Sequence, residues 1–193
     1  GSTNGIHIAS TATIENLANN GIIKGKQKGI SIDAGYNRIY INTINNTGSI
    51  VAENTAGDDG NDCNGCGIFA LGLKFDTINN SANGLIKSTE GISLLTQTGN
   101  RTQGTLVHNV GTIEATKSGI LLHAGAKIDT IENSGTIKAQ NGINLWDKGW
   151  GTNYTIELGT IKNSGTIIAS NDGVIMQDTR NNNNLSAMTI ENF

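Results

Sequence analysis

Apolar residues in this chain alternate with polar ones in short runs, and the runs come in a fixed order. Over residues 119–141 the order is GILL, then DTIEN, then GTIKA, with Gly142 starting it again. Alternation with a period of two marks a strand with one face turned to a core, and runs this short, punctuated by Gly and Asn, do not suit a helix. The first run recurs as GIHI at Gly5, GISI at Gly29, GIFA at Gly67, GISL at Gly91, GINL at Gly142 and GVIM at Gly173. Its inward positions are aliphatic throughout. One column reads Ile6, Ile30, Ile68, Ile92, Ile120, Ile143, Val174, and the next reads Ile8, Ile32, Ala70, Leu94, Leu122, Leu145, Met176.

The second run is apolar-x-Asn, which places Asn16, Asn46, Asn80, Asn109, Asn133, Asn163 and Asn192 at one phase. The third is Gly-x-Ile, ending at Ile23, Ile50, Ile86, Ile113, Ile137 and Ile167. A repeat of about 23 residues carrying three short strands predicts an all-β, right-handed parallel β-helix, a solenoid of about seven rungs. Rungs in such a solenoid stack about 4.8 Å apart. The in-phase Asn then forms an internal ladder at a buried bend, where an unpaired amide would cost about 1–3 kcal/mol. The Gly that follows is expected to supply a positive φ. Residues 1–193 read as a single solenoid segment. Insertions at 34–42, 96–105 and 147–157 fall between the first and second runs, and one at 55–66 follows the third. Insertions in solenoids gather on one face, often the one that binds.

Composition agrees with a narrow aliphatic core: 36% of residues are hydrophobic but only 4% are aromatic, and with no Pro the turns fall to Gly, Asn and Asp. The net charge of -3 is spread without runs, which excludes the basic stripe of a nucleic-acid binder. No apolar stretch reaches the length of a membrane-spanning helix. Gly1 and Ser2 read as the scar of a cleaved tag, and the last residues stop partway through a repeat, as expected of a fragment.

Cys63 and Cys66 form CNGC within the 55–66 loop. A thioredoxin-like site needs a βαβ setting that is missing, and half a zinc site needs a second pair of ligands, so a short-loop disulfide in an oxidising compartment is expected. The preceding GDDGND matches no calcium-loop spacing and reads as a solvated loop. Outside the solenoid, the first run presents two columns. They read His7, Ser31, Phe69, Ser93, Leu121, Asn144, Ile175 and Ala9, Asp33, Leu71, Leu95, His123, Trp146, Gln177. Phe69, Leu71, Leu95, Leu121, His123 and Trp146 make a contiguous patch that is either an interaction surface or a seat for the inserted loops. Trp146, Trp150 and Tyr154 either stack on a sugar, anchor a protein partner or cover that patch. His7, His108 and His123 fall in different rungs and build no catalytic constellation. Pairs such as Asp33 with Asp76, or Asp129 with Glu157, have no supporting register. No enzyme activity, cofactor or metal is expected.

The phrase TIxNxGTIxA followed by GIxL resembles the repeats of β-helical passenger domains of bacterial type V autotransporters, in particular large adhesins and vacuolating-cytotoxin-like members. The resemblance implies display at the bacterial cell surface or secretion, with a tether to an outer-membrane β-barrel in the full-length protein. It implies an adhesin that meets a host-surface glycan or protein, or another copy of itself, through the side of the rod. A polysaccharide lyase or tailspike-like hydrolase and an oligomerising toxin subunit are the alternatives.

Overall fold

The computed structural model describes residues 3–58, 62–96, 99–123, 125–147, 155–178 and 188–193. They form an all-β parallel solenoid of about six turns, with no helix among the described residues. The expected seventh rung does not close, because the seventh occurrence of the phrase supplies only its first two runs, within Thr166–Asp178 and Thr189–Asn192. The turns close against two sheets. A nine-stranded sheet carries the first and third runs, and a seven-stranded sheet carries the second. In the first two turns the third run is a separate strand, Ile22–Gly25 and Ser49–Ala52. From the third turn on, the third and first runs fuse into the long strands Leu85–Leu95, Thr112–His123, Thr136–Asp147 and Thr166–Asp178. Each fused strand keeps a register irregularity at the join, as between Ser88 and Glu90, where a bulge bends the strand around the corner.

Stacking explains the repeat. Ile30 pairs with Ile68, Ile68 with Ile92, Ile92 with Ile120 and Ile120 with Ile143, all buried in one core. The seven-stranded sheet contributes Ile44, Ile78, Val107, Ile131 and Ile161 in the same way. Its strands begin earlier than the apolar-x-Asn run, at Ile39, Leu73, Gln103, Lys127 and Glu157. The ends of the stretches that the sequence presents as insertions, residues 39–42, 103–105 and Glu157, are therefore strand. The extra length supplies a further column in which Phe75 lies opposite Gly104. A Cβ on Gly104 would lie 2.0 Å from the Phe75 ring, so the missing side chain makes room for the one large ring.

The Asn ladder is present with one change of member. Asn46, Asn80, Asn109, Asn133, Asn163 and Asn192 are linked amide to amide at 2.7–2.8 Å. The first member is Asn19, whose Nδ2 donates to Oδ1 of Asn46 at 2.7 Å. Asn16 is exposed and pairs with Thr43 instead. Both Ile14-Glu15-Asn16 and Leu17-Ala18-Asn19 fit apolar-x-Asn, but only Asn19 stands two residues before a Gly, as Asn46 does before Gly48. Successive ladder members are 24 to 34 residues apart, so a repeat of about 23 describes only the tightest turn.

The glycines after the ladder also have a different reason from the expected one. Gly48, Gly111, Gly135 and Gly165 are absent from the positive-φ residues. A Cβ on Gly111 would meet the Gly84 carbonyl oxygen at 2.3 Å, and one on Gly135 would meet that of Gly111 at 2.2 Å. These corners stack backbone on backbone, too closely for any side chain.

Candidate functional site

Register places the two outward columns of the nine-stranded sheet as the alternation requires: Phe69 beside Ser93, Ser93 beside Leu121, and Leu95 beside His123, which stands beside Trp146. The patch they form is largely covered. Phe69 and Leu95 are 2% exposed, Leu121 1% and His123 0%, while Leu71 and Trp146 are half-buried. Of these, Phe69, Leu95, Leu121 and His123 are therefore buried rather than open. Trp150 and Tyr154 lie outside the described residues.

One part of the cover is the segment between the second and third turns. Gly57–Asp58 and Cys63–Asn64 form an antiparallel pair, and Cys63 is disulfide-bonded to Cys66 with Cα atoms 5.7 Å apart. Both cysteines are buried against Phe69 and Leu95, with Leu71 packed alongside. Polar contacts fasten the segment at several points. Lys28, itself buried, pairs with Asp62 at 2.8 Å and lies 5.1 Å from the Phe69 ring centroid. The Lys117 ammonium donates to the Ala56 carbonyl at 2.6 Å, and the Thr89 hydroxyl to that of Asn54 at 2.8 Å. Asp62 also accepts the Cys63 amide, so this acid serves the fold. Among the described residues no group of three or more His, Cys, Asp or Glu is placed to hold a metal ion; Asp59 and Asn61 lie outside them.

Beyond the cover the same face opens into a hollow of about 210 Å³, floored by Leu121 and Asn144 and flanked by Trp146 and Gln177. The Trp146 ring meets the His123 ring in a T-shaped contact, centroids 5.0 Å apart. Leu121 and Trp146 follow from the alternation. The amides around them were legible only as outward positions, because amides are common everywhere in this chain.

The opposite, seven-stranded face is the open one. Tyr40, Lys74, Gln103 and Lys127 stand on four consecutive turns in a single column. Two residues along each strand, Asn42, Asp76, Thr105 and Asp129 form a second column, and all four are exposed. These columns line a hollow of about 370 Å³, with the Lys74 ammonium 5.7 Å from the Tyr40 ring centroid. None of these eight belongs to the run of outward residues singled out by the repeat, because they precede the apolar-x-Asn signature. The alternation in YINTI, KFDTI and KIDTI is the signal that finds them.

Next to this face, Glu157 accepts from Arg101 at 2.7 Å and from Lys127 at 3.0 Å. The Arg101 hydrogen bond foremost, then that of Lys127, holds the Glu157 carboxyl below its ordinary value against the opposing effect of burial. Arg101 also donates to the carbonyls of Gly125 and Thr155, so it ties three successive turns together. Glu157 is thereby committed to the frame, and Asp33 lies on the nine-stranded sheet while Asp76 lies on the other. Neither carboxylate pair raised by the sequence forms a facing site. No protein-family model, curated protein or solved structure matches the chain.

Proposed function

We propose that the chain is a segment of a bacterial cell-surface passenger of the type V autotransporter kind, acting as an adhesin through the side of its rod. The observation that carries this reading is the open face of the seven-stranded sheet. Four turns there present Tyr40, Lys74, Gln103 and Lys127 in register above a hollow of about 370 Å³. A surface of regularly spaced donors and acceptors suits many weak contacts with a host-surface glycan or protein, or with a second rod. The resemblance of the repeat to passenger domains supports the surface location, and a disulfide spanning a sequence separation of 3 fits export of an unfolded chain through a narrow pore.

Beads coated with the protein are expected to attach to epithelial cells or to one another. A Tyr40→Ala/Lys74→Ala/Lys127→Ala variant, folded by circular dichroism, is expected to fall to the level of uncoated beads. Coated beads that neither attach nor cluster would sink the adhesin reading.

One observation favours a second reading, a carbohydrate-active enzyme. Asp76 and Asp129 stand in one exposed column two turns apart, about 9.6 Å by rung spacing, at the edge of the ~6.5–9.5 Å of inverting glycosidases. Release of reducing ends from a panel of polysaccharides, abolished by Asp76→Asn, would favour it over adhesion.

A further inference from the structure

The hollow on the nine-stranded face is separate from the open groove, and its lining has a distinct chemistry. It is built on three outward columns across successive turns. Glu90, Ser118 and Asn141 stand at the corner, Leu121 and Asn144 lie next along the strand, and Trp146 and Gln177 lie beyond them. Volume limits the occupant: about 210 Å³ is below the ~300–1,000 Å³ of drug-sized pockets, so it suits one small ring.

The lining then limits its chemistry. The two charged residues are engaged with the frame: Glu90 accepts the Ser118 amide at 2.8 Å, and Lys117 donates to Ala56. Being of opposite sign, they leave the hollow without net charge. Besides the Ser118 hydroxyl, the remaining polar side chains that line it are four amides, Gln140, Asn141, Asn144 and Gln177, each offering both donors and acceptors. Asn144, 7% exposed, is oriented by its Nδ2 donation to the Ser118 hydroxyl at 3.2 Å. Its Oδ1 and that of Asn141 are buried and meet no donor among the described residues. The indole of Trp146, set against His123, adds a flat apolar wall, and Leu121 an apolar floor.

An aromatic wall, an apolar floor and several amides match a molecule with apolar ring faces and hydroxyls that both donate and accept. We infer that this hollow binds a single neutral pyranose residue, the terminal or a branching unit of a glycan. The ring lies against Trp146, and its hydroxyls exchange hydrogen bonds with the amides of Gln140 and Gln177. An anionic sugar gains nothing here, because the Glu90 carboxylate offsets the Lys117 ammonium. The site stands independently of the adhesin reading, since it uses the other sheet.

The test is saturation-transfer NMR with the methyl glycosides of glucose, galactose, mannose and N-acetylglucosamine, each offered singly. At least one should receive saturation on its ring protons and displace with millimolar affinity. Trp146→Ala should abolish the transfer, and Gln177→Ala, at an exposed position, should weaken it severalfold. Tyr40→Ala on the opposite face should leave it unchanged. Absence of transfer to all four glycosides would overturn the assignment, as would transfer that survives both Trp146→Ala and Gln177→Ala. Transfer lost in Tyr40→Ala alone would place the sugar in the other groove and overturn it equally.

Discussion

Asn80 donates from Nδ2 to Oδ1 of Asn109 at 2.8 Å, and the same nitrogen lies 3.2 Å from the carbonyl oxygens of Gly84 and Thr112. One amide thus joins its own corner to the corner above. Asn109 repeats the arrangement toward Asn133, Gly111 and Thr136. Both residues are fully buried, so the ladder is the means by which a polar bend exists inside an aliphatic rod.

Asn109→Ala removes the acceptor of Asn80 and the donor to Asn133 together. Asn133 Oδ1 is left buried without its donor, while Asn80 Nδ2 keeps the carbonyls of Gly84 and Thr112, so the loss of stability is expected at about 1–3 kcal/mol. Asn16→Ala, at an exposed position outside the ladder, is expected within about 0.5 kcal/mol of the parent. Urea unfolding monitored by circular dichroism compares them. Equal effects at the two positions would refute the assignment of Asn19 rather than Asn16 as the first rung.

Gly135→Ala tests close approach against backbone conformation. The backbone of Gly135 lies outside the left-handed region, so strain in φ predicts no effect. Contact predicts a clear one, because the new Cβ would lie 2.2 Å from the Gly111 carbonyl oxygen and 2.4 Å from the backbone of Val110. Forcing these corners apart is expected to cost about 1–3 kcal/mol. Thermal unfolding at the parent midpoint would show no change if the corner had room.

How much of this was legible in the sequence follows from what repeats. Ile120, Leu122, Ile131 and Ile137 recur because stacking presents the same neighbour at every turn, so their columns and register could be read from spacing alone. Leu17-Ala18-Asn19 could not be separated from Ile14-Glu15-Asn16 by the run itself, since the choice depends on which Asn reaches Asn46 across the corner. The covered patch is a tertiary matter. Phe69 and Leu95 look exposed along a strand and become buried only when the segment carrying Cys63 folds over them. The open face was missed for the opposite reason: Tyr40, Lys74 and Lys127 lie at the ends of stretches whose variable length hid two further strand positions. Trp146 and Gln177 were visible in one outward column, but Gln140 and Asn141 join them only because the register shift at Ala139/Asn141 brings that corner to the same hollow.

Glu157 makes the rod sensitive to acid at one staple. Its folded carboxyl is held below the ordinary value of 4.5 by Arg101 and Lys127. The stabilisation is therefore complete above that ordinary value and is lost as pH falls through the lowered folded value. With the Glu157 side chain 36% exposed, solvent screening reduces its size. Thermal midpoints from pH 7 down to pH 3 should fall less steeply for Glu157→Gln than for the parent below about pH 4.5. Parallel curves would remove Glu157 as the source of the slope.

Cys63 and Cys66 fasten the cover over Phe69 and Leu95, so reduction should loosen the cover without melting the rod. Among the described residues of this segment, Gly57–Asp58 and Cys63–Asn64 pair in a two-stranded sheet separate from the two long ones. A crosslink closing so short a loop contributes about 2 kcal/mol through the unfolded chain. Local opening requires less than global unfolding. The double variant Cys63→Ser/Cys66→Ser is expected to keep its far-ultraviolet circular dichroism, to bind more of an apolar dye such as ANS, and to be cleaved within 55–66 by an endoproteinase that cuts beside Asp. The segment carries Asp58, Asp59 and Asp62 as sites for such an enzyme, whereas the lysines that hold it down, Lys28 and Lys117, lie in strands of the rod. Dye binding and cleavage equal to the parent's would show that Lys28, Lys117 and Thr89 hold the segment down without the disulfide.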